Sequence, residues 1–397
     1  MPISKSSEGP PARDFVVRVA LEAGASAVAI APARPDERAR ERMANSFARG
    51  DFPTWNFDDA YAARAAAPEA LLPGARSVIC VAVAYATPSP AGRAPLSGRV
   101  SNYAWSTDYH GRVRGVLERI ATALDARAGR PVTRIVCDTA PLAERAFAER
   151  AGLGWVGKHT NLIAPALGSY VFLGEILSTL ELEPDAPLRK SCGNCARCVS
   201  ACPTGALRGD NTIDAGRCIS DLTQRTDGIP RALRPLVGDW VWGCDLCQAV
   251  CPPTRLASPR VDKAFAAGES TAAFPQLTAL LELRSGEFKR RYARTGMGWR
   301  GSAILRRNAA VALGNSLDRS TAPALERALR ADPHPQVRAH AAWALGRIGS
   351  PRALTALRAR RSQESAEAVR AEIDHALAAN ETFRSSAALT SREQTKF

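Results

Sequence analysis

The sequence lacks any apolar run long enough to cross a membrane. Near the N-terminus, Arg18 and Glu22 interrupt the only stretch that resembles the hydrophobic centre of a signal peptide, and no twin arginine precedes it. The run GLGWVGKHT, from Gly152, resembles a phosphate-cradling loop, but glycines of that sort are weak evidence and it is not a P-loop. We therefore expect a cytoplasmic protein that neither enters a membrane nor binds nucleotides through a P-loop.

Size and charge point to several domains and an anionic partner. The 397 residues exceed one typical core, so two or three domains are expected, and the 46% hydrophobic and 23% charged contents are ordinary. The formal charge is +14. From Arg284 onward, 21 Lys/Arg face 10 Asp/Glu, so this part carries +11 of the total. Such an excess is typical of proteins that bind anionic partners.

The first half of the chain alternates between strand-like and helical patterns. After residues 1–10, which are predicted to be flexible, residues 11–182 favour an α/β layer fold with a largely buried sheet. Apolar runs rich in Val and Ile predict strands at 25–33, 75–86, 132–138 and 170–182. Helical spacing predicts helices at 15–24, 111–129 and 142–152.

A repeat appears in the basic C-terminal third. RRNAAVALGN from Arg306 matches RAHAAWALGR from Arg338, 32 residues later, and a weaker copy starts at Arg370. Small and apolar residues at this period predict stacked helix pairs of the HEAT type over residues 284–380, followed by a flexible tail at 381–397. Chance similarity between Ala-rich helices is the alternative.

Eight of the ten cysteines lie between Cys192 and Cys251, which indicates metal ligation because a reducing cytosol disfavours disulfides. The first four form C-x2-C-x2-C-x3-C-P, in which three thiolates fit one Fe–S cluster and the fourth points to a neighbouring cluster. The segment resembles bacterial two-cluster ferredoxins. One 4Fe–4S cluster would then be held by Cys192, Cys195, Cys198 and Cys251, and the other by Cys202, Cys218, Cys244 and Cys247.

Two zinc sites with four cysteines each are the alternative, although zinc seldom uses a triple C-x2-C-x2-C followed by Cys-Pro. Two clusters would transfer single electrons to a nearby site where a substrate is reduced. We therefore expect residues 183–258 to form a short, loop-rich two-cluster domain. Cys80 and Cys137 lie on apolar strands and are predicted to be buried structural thiols.

Asp138 stands where a predicted strand ends and a helix follows, and α/β folds place ligand-facing residues there. With an apolar strand behind it, its carboxyl group could have a raised pKa and act as a general acid. The alternative is that Asp138 caps the helix that follows.

The chain resembles the epoxyqueuosine reductase family over about residues 11–380. The resemblance rests on CDTAPLAERAFAERAGLGWVGKHTNLI from Cys137, YAWSTDYH from Tyr103, the two-cluster cysteine pattern and RRNAAVALGN. It implies a cobalamin-binding α/β domain like those of reductive dehalogenases and B12-processing proteins, a ferredoxin-like module and HEAT-like repeats. It also implies reduction of epoxyqueuosine to queuosine at the wobble position of tRNAs with GUN anticodons, with electrons from an external donor reaching cobalamin through the clusters.

The resemblance also implies site residues. Asp138 would donate the proton. The corrin and its nucleotide tail would be lined by Arg64, Tyr103, His110, Asp138, Arg145, Lys158, Thr160, Ser220 and Asp245. Cobalamin would be base-off without a protein histidine on cobalt, because Val113 replaces the glycine of D-x-H-x-x-G. The sequence departs from the family pattern at His159, Asp221 and Pro253-Thr254, and the first two could alter contacts around the site.

A basic cluster with interleaved Tyr292 and Trp299 precedes and enters the repeats. It predicts phosphate contacts to tRNA, with aromatics stacking on anticodon bases. The predicted tRNA-binding residues are Lys289, Arg290, Arg291, Arg300, Arg306 and Arg307, with Arg294 among them in the sequence. Arg306, Arg338 and Arg370 share one repeat position and should form a ladder, unless they pair with acids inside the stack.

Two other functions would fit parts of this pattern. A corrinoid reductive dehalogenase shares the cofactors, but its respiratory members carry a twin-arginine signal and lack a basic repeat domain. A noncatalytic electron-transfer scaffold with HEAT repeats would need neither a corrinoid nor Asp138. We expect a monomeric enzyme that acts on tRNA.

Overall fold

The computed structural model describes residues 12–257, 262–265 and 270–394. The chain forms two compact units. The sheet unit comprises Met1–Thr87, Ser106–Cys218 and Asp245–Ala266, and the repeat unit comprises Pro88–Trp105, Ile219–Cys244 and Ala267–Phe397. The chain therefore passes between the units several times. The predicted flexible stretch 1–10 lies outside the described residues.

Elements are numbered in chain order. The strands are β1 (Ala27–Pro32), β2 (Ser77–Ala84), β3 (Arg99–Val100), β4 (Thr133–Val136), β5 (Trp155–Val156), β6 (Leu162–Ile163), β7 (Val171–Ser178) and β8 (Trp240–Trp242). The helices before the repeats are α1 (Arg13–Ala23), α2 (Glu37–Ala48), α3 (Asp59–Ala66), α4 (Tyr109–Ala128), α5 (Glu144–Arg150), α6 (Arg197–Ala201), α7 (Ile219–Leu222), α8 (Arg234–Val237), α9 (Leu246–Ala249) and α10 (Pro252–Leu256).

The remaining helices belong to the repeat unit. They are α11 (Ser270–Ala273), α12 (Leu277–Leu281), α13 (Ser285–Arg291), α14 (Ser302–Ser316), α15 (Ala322–Ala331), α16 (Pro335–Ile348), α17 (Pro351–Arg361) and α18 (Glu367–Gln394). Helix α18 continues past residue 380, where the repeats were predicted to end. Within the described parts of the chain, no helix is long and apolar enough to cross a membrane.

A four-stranded sheet with the order β1-β2-β7-β4 is the centre of the sheet unit. Its strands lie in the four predicted apolar runs, and each neighbouring pair is antiparallel. All eight residues of β2 are buried, which explains why its sequence is continuously apolar instead of alternating. Because β2 and β4 run in the same direction, their carboxyl ends lie at one edge of the sheet, and Asp138 follows β4 at that edge.

The three copies of the repeat lie on α14, α16 and α18, as the registered residues predict. Small residues recur because the helices approach closely. A Cβ atom added at Gly314 would lie 2.8 Å from the Cα of Ala344, and one added at Gly346 would lie 2.6 Å from the Cβ of Ala376. The spacing of the repeat is thus a packing requirement of stacked helices.

The predicted arginine ladder serves the stack instead of tRNA. The Arg306 guanidinium pairs with Asp332 at 2.6 Å, and that of Arg338 pairs with Glu364 at 2.9 Å. Arg370 donates to the carbonyl oxygen of Glu364. Both Arg306 and Arg338 are buried. The alternative that these arginines bind acids and helix ends within the repeats is therefore the one the structure has, and the prediction that Arg306 binds tRNA is wrong.

Arg307 is fully buried, so it cannot meet a phosphate, and its prediction as a tRNA contact is wrong as well. Its guanidinium donates to the carbonyl oxygens of Arg225 at 2.6 Å and Leu222 at 2.9 Å. The neighbouring Asn308 side chain donates to the carbonyl oxygens of Thr223 and Val241. Adjacent residues of α14 thus fasten the segment 219–244 within the repeat unit.

We expect Arg307→Met to lower the free energy of unfolding by about 2–5 kcal/mol, because two buried carbonyl oxygens lose their donors while the side-chain volume is nearly kept. Urea titration of the cluster-loaded protein, followed by helical circular dichroism, measures the change. The exposed Arg294→Met serves as control and should stay within about 0.5 kcal/mol. Equal stability of the two variants would mean that Arg307 does not anchor the segment.

Candidate active site

Asp138 occupies a tight turn directly after β4. Its backbone has φ of 57°, which is left-handed and uncommon for a residue other than glycine, although aspartate tolerates it. The Asp138 N–H donates to Glu144 Oε1 at 2.8 Å, and the Thr139 N–H donates to the Cys137 carbonyl oxygen at 2.6 Å. Helix α5 begins at Glu144 with Ala143 as its N-cap residue, so Asp138 does not cap it. The turn holds the Asp138 side chain at the sheet edge.

The Asp138 carboxyl group is paired with a histidine. His110 Nε2 lies 3.1 Å from Asp138 Oδ2, and His110 Nδ1 lies 2.6 Å from Asp108 Oδ1. The hydrogen bond to Asp138, followed by that to Asp108, raises the pKa of His110 to about 9 against partial burial. The Asp138 side chain is 56% exposed, so the structure does not give it the apolar surroundings that its position suggested.

Two further carboxyl groups lie behind the turn, and sequence reasoning missed both. Glu175 on β7 is fully buried and shares a hydrogen bond with Glu144. Burial raises the pKa of Glu175 well above its usual range, and burial likewise raises that of Glu144 to about 7. Neither Glu175 oxygen meets a donor from another described residue, so burial beside the Glu144 carboxyl group favours the neutral form of Glu175. A lone glutamate within the apolar run VFLGEILS was the available signal.

Several predicted corrin-lining residues gather around the same turn. Arg145 follows Glu144 and donates to the carbonyl oxygen of Thr160 at 2.7 Å. Thr160 has φ of 67°, a second left-handed residue in this region. Arg64 lies at the end of α3, where its charge acts on Tyr61, which the charges of Glu144 and Asp138 also reach.

Lys158 connects this region to the cysteine loop, because its amine donates to the carbonyl oxygen of Gly193 at 2.9 Å. The remaining residues predicted to line the corrin lie in other segments of the chain. Asp245 is buried in the sheet unit. Tyr103 and Ser220 belong to the repeat unit, where Tyr103 Oη accepts from Trp242 Nε1 and Ser220 Oγ accepts from the Gln224 amide.

The four cysteines predicted for the first cluster influence one another electrostatically, although among the described residues no three ligating side chains are placed to hold a metal ion. Burial raises the pKa of the Cys251 thiol, and the neighbouring Cys192 and Cys195 raise it further. Burial also raises the pKa of Cys198, with Cys192 and Cys251 adding to the effect. Cys251 packs with Trp155, Ile163 and Cys192. Four cysteine thiolates are the donor set that a 4Fe–4S cluster uses.

Two further cysteines predicted for the second cluster act electrostatically on Cys247. Burial raises the pKa of Cys247 strongly, and Cys218 and Cys202 are among the neighbours that raise it further. At Cys202, burial is outweighed by hydrogen bonds from Thr204 Oγ1 and from backbone N–H groups, so its pKa is lowered, as a thiolate ligand requires. Cys244 ends the segment Ile219–Cys244 of the repeat unit. Cys80 and Cys137 are buried, as predicted.

The three departures from the family pattern have local structural roles. His159 is buried, which lowers its pKa to about 4, and its Nδ1 accepts from the Asn161 N–H at 3.2 Å. Asp221 lies on α7 with Arg225 at 3.7 Å. The Thr254 hydroxyl accepts from the Ser169 N–H at 3.0 Å. Each side chain is thus held by its own neighbours in the chain or fold.

The exposed basic residues of the predicted tRNA surface lie at the end of α13. Lys289, Arg290 and Arg291 form its last turn. Tyr292 is buried, so it cannot stack on a base as its sequence position suggested. Trp299 is 53% exposed, and the Arg300 guanidinium covers its ring at 3.7 Å.

Family models match three parts of the chain. Residues 191–254 match "4Fe-4S double cluster binding domain", and residues 300–378 match "HEAT repeats". Residues 65–139, which end just after Asp138, match "Epoxyqueuosine reductase QueG, DUF1730". The predicted two-cluster domain and the helical repeats are therefore confirmed, and paired zinc sites are set aside.

Curated relatives are similar over most of the chain. The epoxyqueuosine reductase of Bacillus cereus (strain ATCC 14579) is 36% identical over 320 residues, which cover 78% of this chain and 82% of that protein. The epoxyqueuosine reductase of Escherichia coli (strain K12) is 38% identical over 286 residues, which cover 70% of this chain and 75% of that protein.

Solved structures are similar as well. An epoxyqueuosine reductase crystallised with an epoxyqueuosine-modified tRNA-Tyr stem loop has a TM-score of 0.87 and 31% identity, covering 93% of this chain and 98% of its own. The Bacillus subtilis epoxyqueuosine reductase, whose catalytic aspartate loop is swung out of the active site, has a TM-score of 0.85 and 31% identity, covering 92% and 98%. The predicted α/β domain, two-cluster module and helical repeats are confirmed as parts of the epoxyqueuosine reductase fold.

Proposed function

The chain belongs to the epoxyqueuosine reductase family of oxidoreductases, and on that premise we propose that it reduces epoxyqueuosine to queuosine at the wobble position of tRNAs with GUN anticodons. The observation that carries the proposal is the Asp138–His110 pair at the sheet edge, 3.1 Å apart. It offers a proton beside the loop that Lys158 ties to the cysteine segment. The enzyme would work in the cytoplasm as a monomer.

The cysteines and the polar residues near Asp138 have the chemistry that the proposed cofactors require. Cys192, Cys195, Cys198 and Cys251 would hold one 4Fe–4S cluster, and Cys202, Cys218, Cys244 and Cys247 the other. Arg64, Arg145, Lys158 and Thr160 offer cationic and hydroxyl groups that would suit the amides and phosphate of cobalamin. When bound, the clusters supply single electrons from an external donor and cobalamin supplies the strong reductant that an epoxide needs.

Asp138 would protonate the oxygen that leaves the epoxide. Its turn after β4 projects the carboxyl group outward, while the Glu144 carboxyl group holds its backbone N–H at 2.8 Å. The Bacillus subtilis relative has a catalytic loop with an aspartate that is swung out of the active site, and we propose that the turn of Asp138 is the corresponding loop here. His110 keeps the carboxyl group oriented.

The tRNA would contact the exposed basic residues of the last turn of α13. We expect Lys289→Glu combined with Arg290→Glu to raise the KM for tRNA about 10-fold or more, because two contacts to phosphates are lost. The salt dependence of tRNA binding should also become flatter. Turnover of a free epoxyqueuosine nucleoside should change little. Arg130→Glu combined with Arg38→Glu, both at exposed positions of the sheet unit, is the charge-matched control. Equal losses with tRNA and nucleoside would mean that α13 does not dock tRNA.

The decisive experiment is anaerobic. Cluster-reconstituted protein is incubated with cobalamin, a strong reductant and tRNA that carries epoxyqueuosine. The tRNA is then digested, and the masses of its nucleosides are measured by mass spectrometry. Loss of one oxygen that depends on cobalamin is the expected result. No loss with clusters and cobalamin bound would favour a reductase of small molecules, and failure to bind cobalamin would favour an electron-transfer scaffold.

A further inference from the structure

The proposed reaction needs more protons than Asp138 can hold. Removal of an epoxide oxygen as water consumes two electrons and two protons and leaves a carbon–carbon double bond. The electrons come from the external donor through the clusters, as proposed above. One carboxyl group carries one proton at most, so Asp138 must be protonated again within each turnover. A proton source has to lie within hydrogen-bonding distance of its carboxyl oxygens.

His110 is the titratable group that contacts those oxygens. Its Nε2 faces Asp138 Oδ2 at 3.1 Å, from the first turn of α4. Its other ring nitrogen faces Asp108 Oδ1 at 2.6 Å, and the same Asp108 oxygen accepts the backbone N–H of His110. Asp108 therefore caps α4 and also fixes the plane of the His110 ring. The ring is also stacked on Tyr109, with 4.1 Å between the centroids.

The charged groups that face His110 favour its protonated form. They are Asp108 on its own helix and Asp138 from the turn after β4, with Glu144 on the backbone side of that turn. Glu144 touches the Asp138 N–H but not the Asp138 carboxyl oxygens, so it holds the turn without supplying this proton. An imidazolium whose two N–H groups both point at carboxylates is a proton store next to the acid.

We infer that His110, oriented by Asp108, reloads Asp138 with the second proton of each turnover. The His110 Nε2–H bond breaks as the Asp138 Oδ2–H bond forms, and Asp138 then gives that proton to the departing oxygen, which leaves as water. His110 regains a proton from solvent, since its side chain is 35% exposed. The inference rests on the proposed function and on Asp138 as its acid.

The direction in which the reaction rate changes with pH follows from the raised pKa of His110. Since the pKa of His110 is raised from 6.5 to about 9, the imidazolium is present below about pH 9 and is lost as the pH rises through that value. The rate of queuosine formation in a single turnover should therefore fall above about pH 9. Asp108→Asn keeps a helix cap and a hydrogen-bond acceptor but loses the charge, so the fall should move towards pH 6.5.

His110→Gln tests the proton store, because glutamine can donate a hydrogen bond to Asp138 but has no dissociable proton. We expect turnover to drop about 10- to 100-fold, the fall above pH 9 to disappear, and the KM for tRNA to change little. The exposed His375→Gln is the matched control. Free imidazole should restore part of the turnover of His110→Ala.

A readout independent of activity comes from NMR of the oxidised, cluster-loaded protein with labelled histidine. The chain has five histidines, and the signal missing from His110→Gln is that of His110. It should titrate near pH 9 in the wild type and lower in Asp108→Asn. A His110→Gln variant with full turnover at every pH, or with an equal loss at every pH, would overturn the inference. If the wild type itself forms no queuosine, the proposed function fails, and the histidine titration still reports on the pair.

Discussion

An Asp138→Asn variant should lose at least about 99% of its turnover while it still binds both clusters, cobalamin and tRNA. Asparagine tolerates the left-handed backbone that Asp138 adopts at φ of 57°, so the turn after β4 should keep its shape. Its amide oxygen can still accept from His110 Nε2. What it cannot do is carry a proton to the epoxide oxygen, which is the role we propose.

The measurement is the rate of queuosine formation in a single turnover, by mass spectrometry, together with iron content and the visible spectrum of bound cobalamin. The control is Asp14→Asn, since the Asp14 side chain is 96% exposed and lies on α1. Unchanged turnover in Asp138→Asn would rule out the acid role. Loss of cobalamin together with turnover would assign Asp138 to binding instead.

The second large effect should follow from Cys251→Ala. Cys251 is buried beside Trp155 and Ile163 and lies next to Cys192, so we expect this variant to lose the first cluster or to retain only a damaged form. Iron should fall from about eight atoms per chain towards about four, because each 4Fe–4S cluster needs four thiolates. Electron delivery and turnover should be abolished.

Cys218→Ala provides the matching test of the other ligand set. Its iron should fall by a similar amount, but EPR of the reduced protein should show the cluster that Cys251→Ala lacks. Cys80→Ala, which removes a buried thiol from β2, should keep all its iron and serves as control. If Cys251→Ala and Cys218→Ala lost the same cluster, the proposed exchange of fourth ligands between the two cysteine runs would be wrong.

The proposed role of His110 as proton source depends on the proposed role of Asp138 as acid, and double substitution tests this dependence. Asp138 receives its hydrogen bond from His110, whereas Glu144 holds only its backbone. A change at His110 should therefore alter the pH dependence, and a change at Asp138 should remove turnover at every pH. Combined in one chain, the two substitutions should cost about as much as Asp138→Asn alone, because they act on one proton path.

The sequence by itself determined the features that spacing and composition encode. The cysteine spacing indicated two clusters because thiolates three residues apart suit neighbouring irons of one cluster. The period of 32 residues indicated stacked helices, because Gly314 and Gly346 must recur wherever two helices touch. The four apolar runs identified the strands of the sheet, and β2, which is buried along its whole length, shows no alternation for that reason.

Only the tertiary structure decided which charged residues face the solvent. Arg306 and Arg307 look like their exposed neighbours in the sequence, but the fold buries both among carboxylates and carbonyl oxygens. In the same way, Glu175 became meaningful only when β7 brought it behind the turn of Asp138, and the pairing of His110 with Asp138 became visible only when α4 brought the ring to that turn. The physical reason is that an ionisable group acts through its neighbours and its burial. Residues that are far apart along the chain supply both.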